Sequence, residues 1–177
     1  DFNKPVKSLP DSITDLKFGK YFNQQVDNLP SCLTHLEFGR NFDKPVNNLP
    51  ELLIHLGFDR YSHFNQRVDY LPSGLKHLEF GWCFNQPVDN LPSSLTHLIF
   101  GQPFNKQVDN LPNSLTYLEF GNYFNQPVYN LPELLTVLVF GNNFNQPINK
   151  FPNSLKKIEI PKNYSYPLPD NVEIQKI

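Results

Sequence analysis

Apolar residues recur along the chain with a period of twenty residues. Counted from an opening phenylalanine, each unit has apolar side chains at positions one, five, eight, twelve, fifteen and seventeen. Eight units occur in phase, and only the third is longer, by two residues. The opening residues are Phe2, Phe22, Phe42, Phe64, Phe84, Phe104, Phe124 and Phe144. A repeat of this length, sustained over most of a chain, is typical of a solenoid built from stacked units.

Positions fifteen and seventeen are apolar, and the intervening positions fourteen and sixteen are mostly polar. This alternation has the period of two that indicates a β-strand with one buried face. Proline at position nine opposes a long helix through the unit, and glycine at position eighteen favours a turn. We predict a mostly β, right-handed solenoid with one short parallel strand per repeat, extended or 3₁₀ return segments and almost no α-helix.

The period divides the chain into two parts. Residues 1–160 form eight tandem repeats, and residues 161–177 form a degenerate ninth repeat that starts at Tyr164 and acts as a polar C-terminal cap. The first unit has no equivalent cap, so its apolar residues are expected to be exposed: Phe2, Val6, Leu9, Ile13, Leu16 and Phe18. We therefore expect an upstream domain, a partner or a second copy of the chain at that end.

The best copies of the unit open with Phe84-Asn85-Gln86-Pro87 and Phe124-Asn125-Gln126-Pro127. They resemble the FNIP-repeat family, whose members are similar to leucine-rich-repeat solenoids and occur mainly in amoebae and their large DNA viruses. Members often follow an N-terminal F-box. The resemblance implies a protein-binding solenoid, and an F-box connection would make it the substrate-recognition part of a ubiquitin-ligase receptor.

Composition narrows the possible functions. Fifteen Lys and Arg against 17 Asp and Glu leave a net charge of −2, which gives no reason to expect nucleic acid or an anionic membrane as partner. The two cysteines, Cys32 and Cys83, indicate a reducing compartment, so we expect a cytoplasmic location, the host cytoplasm if the protein is viral. Neither a phosphate-binding glycine loop nor a nucleophile motif occurs. We predict a non-enzymatic protein without cofactor.

Stacking converts each outward repeat position into a column on the sheet. Position fourteen presents four consecutive histidines and a tyrosine, and position sixteen presents several glutamates beside them. The predicted binding residues here are His35, His55, His77, His97, Tyr117, Glu37, Glu79 and Glu119. Histidine beside glutamate also suggests a metal-binding or catalytic site as an alternative, although a sheet spreads such ligands along a row. Contact with a protein partner is the favoured interpretation.

Two further features concern turns. The two-residue insertion in the third unit, around Arg60 and Tyr61, is either a tolerated bulged turn or a recognition loop, and Trp82 lies in the next turn. These three residues complete the predicted binding surface.

The recurrent asparagines at positions two and seven are predicted to bond backbone groups along the stack.

Overall fold

The computed structural model describes residues 2–6 and 9–177, so the first residue of the predicted repeat region and residues 7 and 8 lie outside the described part. Within that part, nine strands form one sheet and no helix occurs. The strands are β1 (Asp15–Lys17), β2 (His35–Phe38), β3 (His55–Phe58), β4 (His77–Glu79), β5 (His97–Ile99), β6 (Tyr117–Glu119), β7 (Val137–Val139), β8 (Lys157–Ile160) and β9 (Glu173–Lys176). All neighbours are parallel, and their order in the sheet is their order in the chain. The predicted β-solenoid is confirmed.

Strand register follows repeat position. Leu36 pairs with Leu16 on one side and with Leu56 on the other, so each residue faces its counterpart in the adjacent unit. The insertion in the third unit falls between β3 and β4 and leaves this register intact, because His55 still pairs with His77. Return segments are extended and contain single turns, in which Leu95 N–H donates to Pro92 O at 3.1 Å. Continuous 3₁₀ structure is absent from the described return segments.

The core is a double column of phenylalanine rings. Opening rings stack on one another between units, as Phe84 does on Phe104 with 6.1 Å between centroids. Each also stacks on the position-seventeen ring that precedes it, with 3.7 Å between Phe100 and Phe104. Leucines of positions twelve and fifteen fill the remaining interior, and Leu95 and Leu98 have no exposed surface. Each unit therefore buries its apolar side chains against its neighbours, which a single unit could not do alone.

Asparagine side chains at position two connect successive units. The Asn85 side-chain oxygen accepts the backbone N–H of Asn105 at 3.0 Å, and Asn105 does the same for Asn125 at 3.0 Å. This part of the asparagine prediction is confirmed. At position seven the prediction is wrong, because Asn48 and Asn90 donate to Asp27 and Asp69 side chains of the preceding unit. Those amides lie at the exposed edge, where side-chain carboxylates are within reach.

The third turn is closed around a buried serine. Ser62 has no exposed surface, its N–H donates to Asp59 O at 2.7 Å, and its hydroxyl accepts the N–H of Phe64 at 3.1 Å. Arg60 and Tyr61 remain exposed on the outside of this turn. The insertion is thus a packed turn that the solenoid tolerates, and its role as a recognition loop stays a prediction.

The two ends differ. Phe2 stacks on Phe22 at 6.1 Å and is 55% exposed, whereas Phe18 is buried because it stacks on both Phe22 at 3.8 Å and Phe38 at 5.5 Å. The expectation that Phe18 would be exposed is therefore wrong. At the other end, Tyr164 stacks on Phe144 at 5.9 Å and β9 pairs with β8, so residues 161–177 continue the stack. All four residues of β9 are exposed.

Candidate functional site

The outward side chains of positions fourteen and sixteen form one surface, called the sheet face below. Its central feature is a row of stacked rings, because parallel in-register strands place equivalent residues side by side. Ring centroids lie 5.8 Å apart for His35 and His55, 6.0 Å for His55 and His77, and 4.4 Å for His77 and His97. Tyr117 extends the row at 5.9 Å from His97. The five predicted ring residues are therefore brought together.

Burial changes along this row. His35 is exposed, and Thr34 Oγ1 lies 2.9 Å from its Nδ1, whereas His55, His77 and His97 are half-buried between neighbouring rings. Burial lowers the pKa of His55 below its usual range, and the imidazoles of His77 and His35 lower it further. Burial likewise lowers the pKa of His77, with smaller contributions from His97 and His35. The middle of the row therefore resists protonation.

This resistance predicts a pH dependence of stability. Unfolded histidines titrate at the usual value of 6.5, whereas the folded pKa values of His55 and His77 are lower, so the unfolded state takes up protons first. The neutral His55 and His77 therefore contribute their full share of the folding free energy above pH 6.5. This contribution is lost as the pH falls below 6.5 and the unfolded state binds protons. We expect the melting temperature to decrease between about pH 7.5 and 5.5, and the double substitution His55→Gln, His77→Gln to flatten the decrease. An identical slope in the double variant, or a flat slope only in a His63→Gln control, would contradict the assignment.

The glutamates of the sheet face have different partners. Glu37 forms an ion pair with Lys17 of the preceding strand, and Tyr117 donates its hydroxyl to Glu119 at 2.6 Å. Burial and this hydrogen bond raise the pKa of Tyr117, so its hydroxyl keeps its proton and remains a donor to Glu119. Burial, together with the carboxylates of Glu119 and Glu37, raises the pKa of Glu79. Two of the three predicted glutamates are therefore already bonded within the sheet.

A notch interrupts the face at Gly57, which pairs with Glu37 and Glu79 on the flanking strands but has no side chain. A cavity of about 370 Å³ lies there, and it continues past Lys17 to Arg60 in the third turn. A Cβ at Gly57 would meet only side-chain atoms, His55 Nε2 at 3.2 Å and Glu37 Cγ at 3.6 Å. The notch therefore exists because the residue at this position has no side chain, and the backbone itself does not require glycine here.

Next to the notch the face becomes more apolar. A shallow pocket of about 170 Å³ is lined by His77, His97, Ile99 and Tyr117. Beyond it, the outward residues of β7 are Val137 and Val139, both half-buried. The sequence prediction did not include Ile99, although its apolar character in a mostly polar column was a visible signal.

The remaining predicted residues lie on the turns that follow the strands. Arg60 borders the notch cavity, whereas Tyr61 and Trp82 border a separate cavity of about 320 Å³ together with Arg40 and His63. Arg60 therefore connects the sheet face to the turns, and the two aromatic residues belong to a second surface. Lys17, Arg40 and His63 were not predicted, although Lys17 lies in the same column as Glu37 and Arg40 in the same column as Arg60.

The sheet face is better suited to contact with a partner than to coordination of a metal ion. Within residues 2–6 and 9–177, no three His, Cys, Asp or Glu side chains are grouped so that they could hold a metal ion. Stacked imidazoles present their nitrogens in a row, whereas a tetrahedral metal needs ligands that converge. In the same part of the chain, Cys32 and Cys83 are free thiols. No helix of the described residues has the length and apolar character needed to cross a membrane.

Comparisons with known proteins agree with this architecture. The FNIP Repeat family matches residues 2–41, 25–61, 64–103, 84–123, 102–130 and 124–163. No curated protein sequence matches the chain. Among solved structures, it is similar to CroV588, described as a novel circular leucine-rich-repeat protein, with 47% identity and a TM-score of 0.87 over 97% of this chain. The chain spans 27% of the length of that giant-virus protein. The matches extend over nearly all described repeats, and the chain belongs to the FNIP-repeat family.

Proposed function

We propose that this chain is a non-enzymatic protein-interaction solenoid whose partner binds the sheet face. The supporting observation is a contrast between interior and surface columns. Interior positions are apolar in every unit and mostly repeat the same residue, because each must pack on its counterpart above and below. The outward residues of the strands instead change from Asp15 and Lys17 in β1 to Val137 and Val139 in β7, and are charged again at Lys157 and Glu159 in β8. One rigid scaffold thus presents an apolar centre between two charged regions.

The region from β4 to β6 has the features of an interface centre. Its rings and Ile99 combine apolar surface with polar atoms, as in residues that dominate binding energy. The strands there are hydrogen-bonded on both sides, so little conformational entropy remains to be lost on binding. The charged end near Lys17 and Glu37 would then add orientation and selectivity more than affinity.

The arrangement favours binding over catalysis. The imidazoles lie in a row, Glu37 is paired with Lys17, and Glu119 accepts from Tyr117, so these groups are engaged with one another along the sheet. Nucleophilic or acid–base catalysis needs such groups around one reacting atom. A display of side chains along a solenoid instead matches a contact surface.

Two extensions of the proposal concern context. The connection of FNIP repeats with F-box domains supports a role as the substrate-recognition part of a cytoplasmic ubiquitin-ligase receptor. Alternatively, two copies associate through the first unit, where Phe2 is 55% exposed and borders an apolar cavity with Val6, Leu9 and Leu16.

Affinity capture with three forms of the chain tests the proposal. The face variant is His97→Glu with Ile99→Glu, which places charge in the half-buried centre of the sheet face. The matched control, Asn110→Glu with Tyr129→Glu, adds the same charge at exposed return segments. From lysate of the cells in which the protein occurs, we expect a protein recovered by wild type and control, and reduced at least about tenfold with the face variant. Equal recovery by all three folded forms would contradict the proposed surface.

A further inference from the structure

The turns after the first strands expose an unusual run of cations. At position nineteen, in the turn that follows each strand, three consecutive units have Lys20, Arg40 and Arg60, all exposed. None of the three forms an ion pair with another described residue, whereas Lys17, Arg67 and Lys157 do. Backbone hydrogen bonds fix the turns in sequence, because Asn41 N–H donates to Lys20 O and His63 N–H to Arg40 O. We call these three cations, together with the neighbouring Tyr21, Tyr61 and Trp82, the turn ridge.

The same position has a structural role in later units. Gln102 accepts the backbone N–H of Asn122 at 3.3 Å through its side-chain oxygen, and Asn122 accepts that of Asn142 at 3.2 Å. Lysine and arginine have no acceptor atom, so the first three units cannot form this bond. The first three units therefore have solvent-exposed charge at the position where two later units have a hydrogen bond between units, and exposed charge contributes less to stability than that bond.

Aromatic rings lie beside these cations. The Lys20 ammonium is 5.1 Å from the Tyr21 ring centroid, and the Arg60 guanidinium is 5.8 Å from that of Tyr61. Tyr61 is 53% exposed and Trp82 46% exposed, and with Arg40 they border the cavity of about 320 Å³. Arginine, tyrosine and tryptophan around a groove are the residues that most often dominate protein interfaces. The ridge thus combines cationic and apolar contacts.

We infer that the turn ridge docks an acidic, extended segment of a partner protein, with carboxylates on Lys20, Arg40 and Arg60 and an apolar side chain between Tyr61 and Trp82. This deepens the proposed function by naming the chemistry of the partner, and it assigns that chemistry to a second surface. Spaced carboxylates fit better than a nucleic-acid backbone. Asp59 holds its carboxylate in the third turn by accepting Tyr61 N–H at 2.9 Å, which would repel a continuous row of phosphates.

Fluorescence anisotropy at low salt tests the inference with synthetic probes. The first probe is a short labelled peptide in which glutamate alternates with phenylalanine and serine, the second has lysine for glutamate, and the third is a single-stranded oligouridine. The ridge variant combines Lys20→Glu, Arg40→Glu and Arg60→Glu. A matched control reverses three exposed lysines elsewhere, with Lys106→Glu, Lys150→Glu and Lys156→Glu.

We expect wild type and control to bind the acidic peptide about equally, and the ridge variant to bind it at least about tenfold more weakly. The lysine peptide should not compete. Absence of binding to wild type, equal loss in the control, or tighter binding of oligouridine would overturn the inference. The sheet-face variant separates the two proposals. If the face variant alone loses binding to the acidic peptide, the inference about the turn ridge fails and the proposal for the sheet face remains. If the face variant binds the acidic peptide normally and still recovers every captured protein, only the proposal for the sheet face fails.

Discussion

Replacing Phe104 with alanine is expected to lower the free energy of unfolding by about 3–5 kcal/mol. The ring has no exposed surface and stacks on Phe84 and Phe124, each at 6.1 Å, and on Phe100 at 3.7 Å. Truncation removes this apolar contact and leaves a cavity that the rigid stack cannot close. Because units stabilise one another through their interfaces, backbone amides on both sides should also exchange faster.

Chemical denaturation with circular dichroism measures the loss. Tyr123→Ala is the matched control, since it removes a larger aromatic side chain from an exposed turn, where a change within about 0.5 kcal/mol is expected. A loss below about 1 kcal/mol for Phe104→Ala would mean that the phenylalanine column does not hold the units together.

Gly101→Ala is expected to cost about 1–3 kcal/mol or more, although it adds a single methyl group. A Cβ at Gly101 would overlap the backbone carbonyl of Gly81 in the preceding unit. Gly121 stands in the same relation to Gly101, so the close approach of turns recurs along the stack. The obstacle is backbone, which can move only if two units separate. Thermal melting of the purified variant gives the measurement.

Gly19→Ala provides the comparison at the same repeat position. Nothing lies within 4 Å of a Cβ at Gly19, and neither glycine has a positive φ. We expect this substitution to leave stability unchanged or to raise it by about 0.4–1 kcal/mol, because alanine restricts the unfolded chain. Equal effects at the two positions would indicate that glycine is required for backbone conformation and not for the spacing of units.

Repetition made the fold predictable from sequence. Because every unit has the same apolar positions, the register that pairs Leu36 with Leu56 follows once units are aligned. The insertion in the third unit was also placed correctly in a turn, since the alternation of β3 and β4 on its two sides is uninterrupted. The packing of Ser62 inside that turn could not be predicted, because it depends on how the loop folds back on Phe64.

The candidate surface was predictable in position and less so in interactions. Column alignment alone places His77 beside His97, and the structure confirms their stacking. It does not show that Glu37 pairs with Lys17 or that Glu119 accepts from Tyr117, since these contacts depend on side-chain rotamers. The division between the sheet face and the turn ridge was also missed. Arg60 and Trp82 occupy the same position in successive units, but Arg60 borders the notch cavity next to the sheet face, whereas Trp82 borders the cavity between the turns.

On the proposed function, a partner covers the sheet face from β4 to β6. Hydrogen–deuterium exchange of the chain with and without a captured partner shows which part of the surface becomes covered. Because these strands are paired on both sides, side-chain footprinting at His77, His97 and Tyr117 should accompany the exchange measurement. We predict that bound partner protects these side chains and leaves the return segment around Asn110 unchanged. If the return segment is protected, and the three side chains are equally reactive with and without partner, the proposed binding surface is wrong.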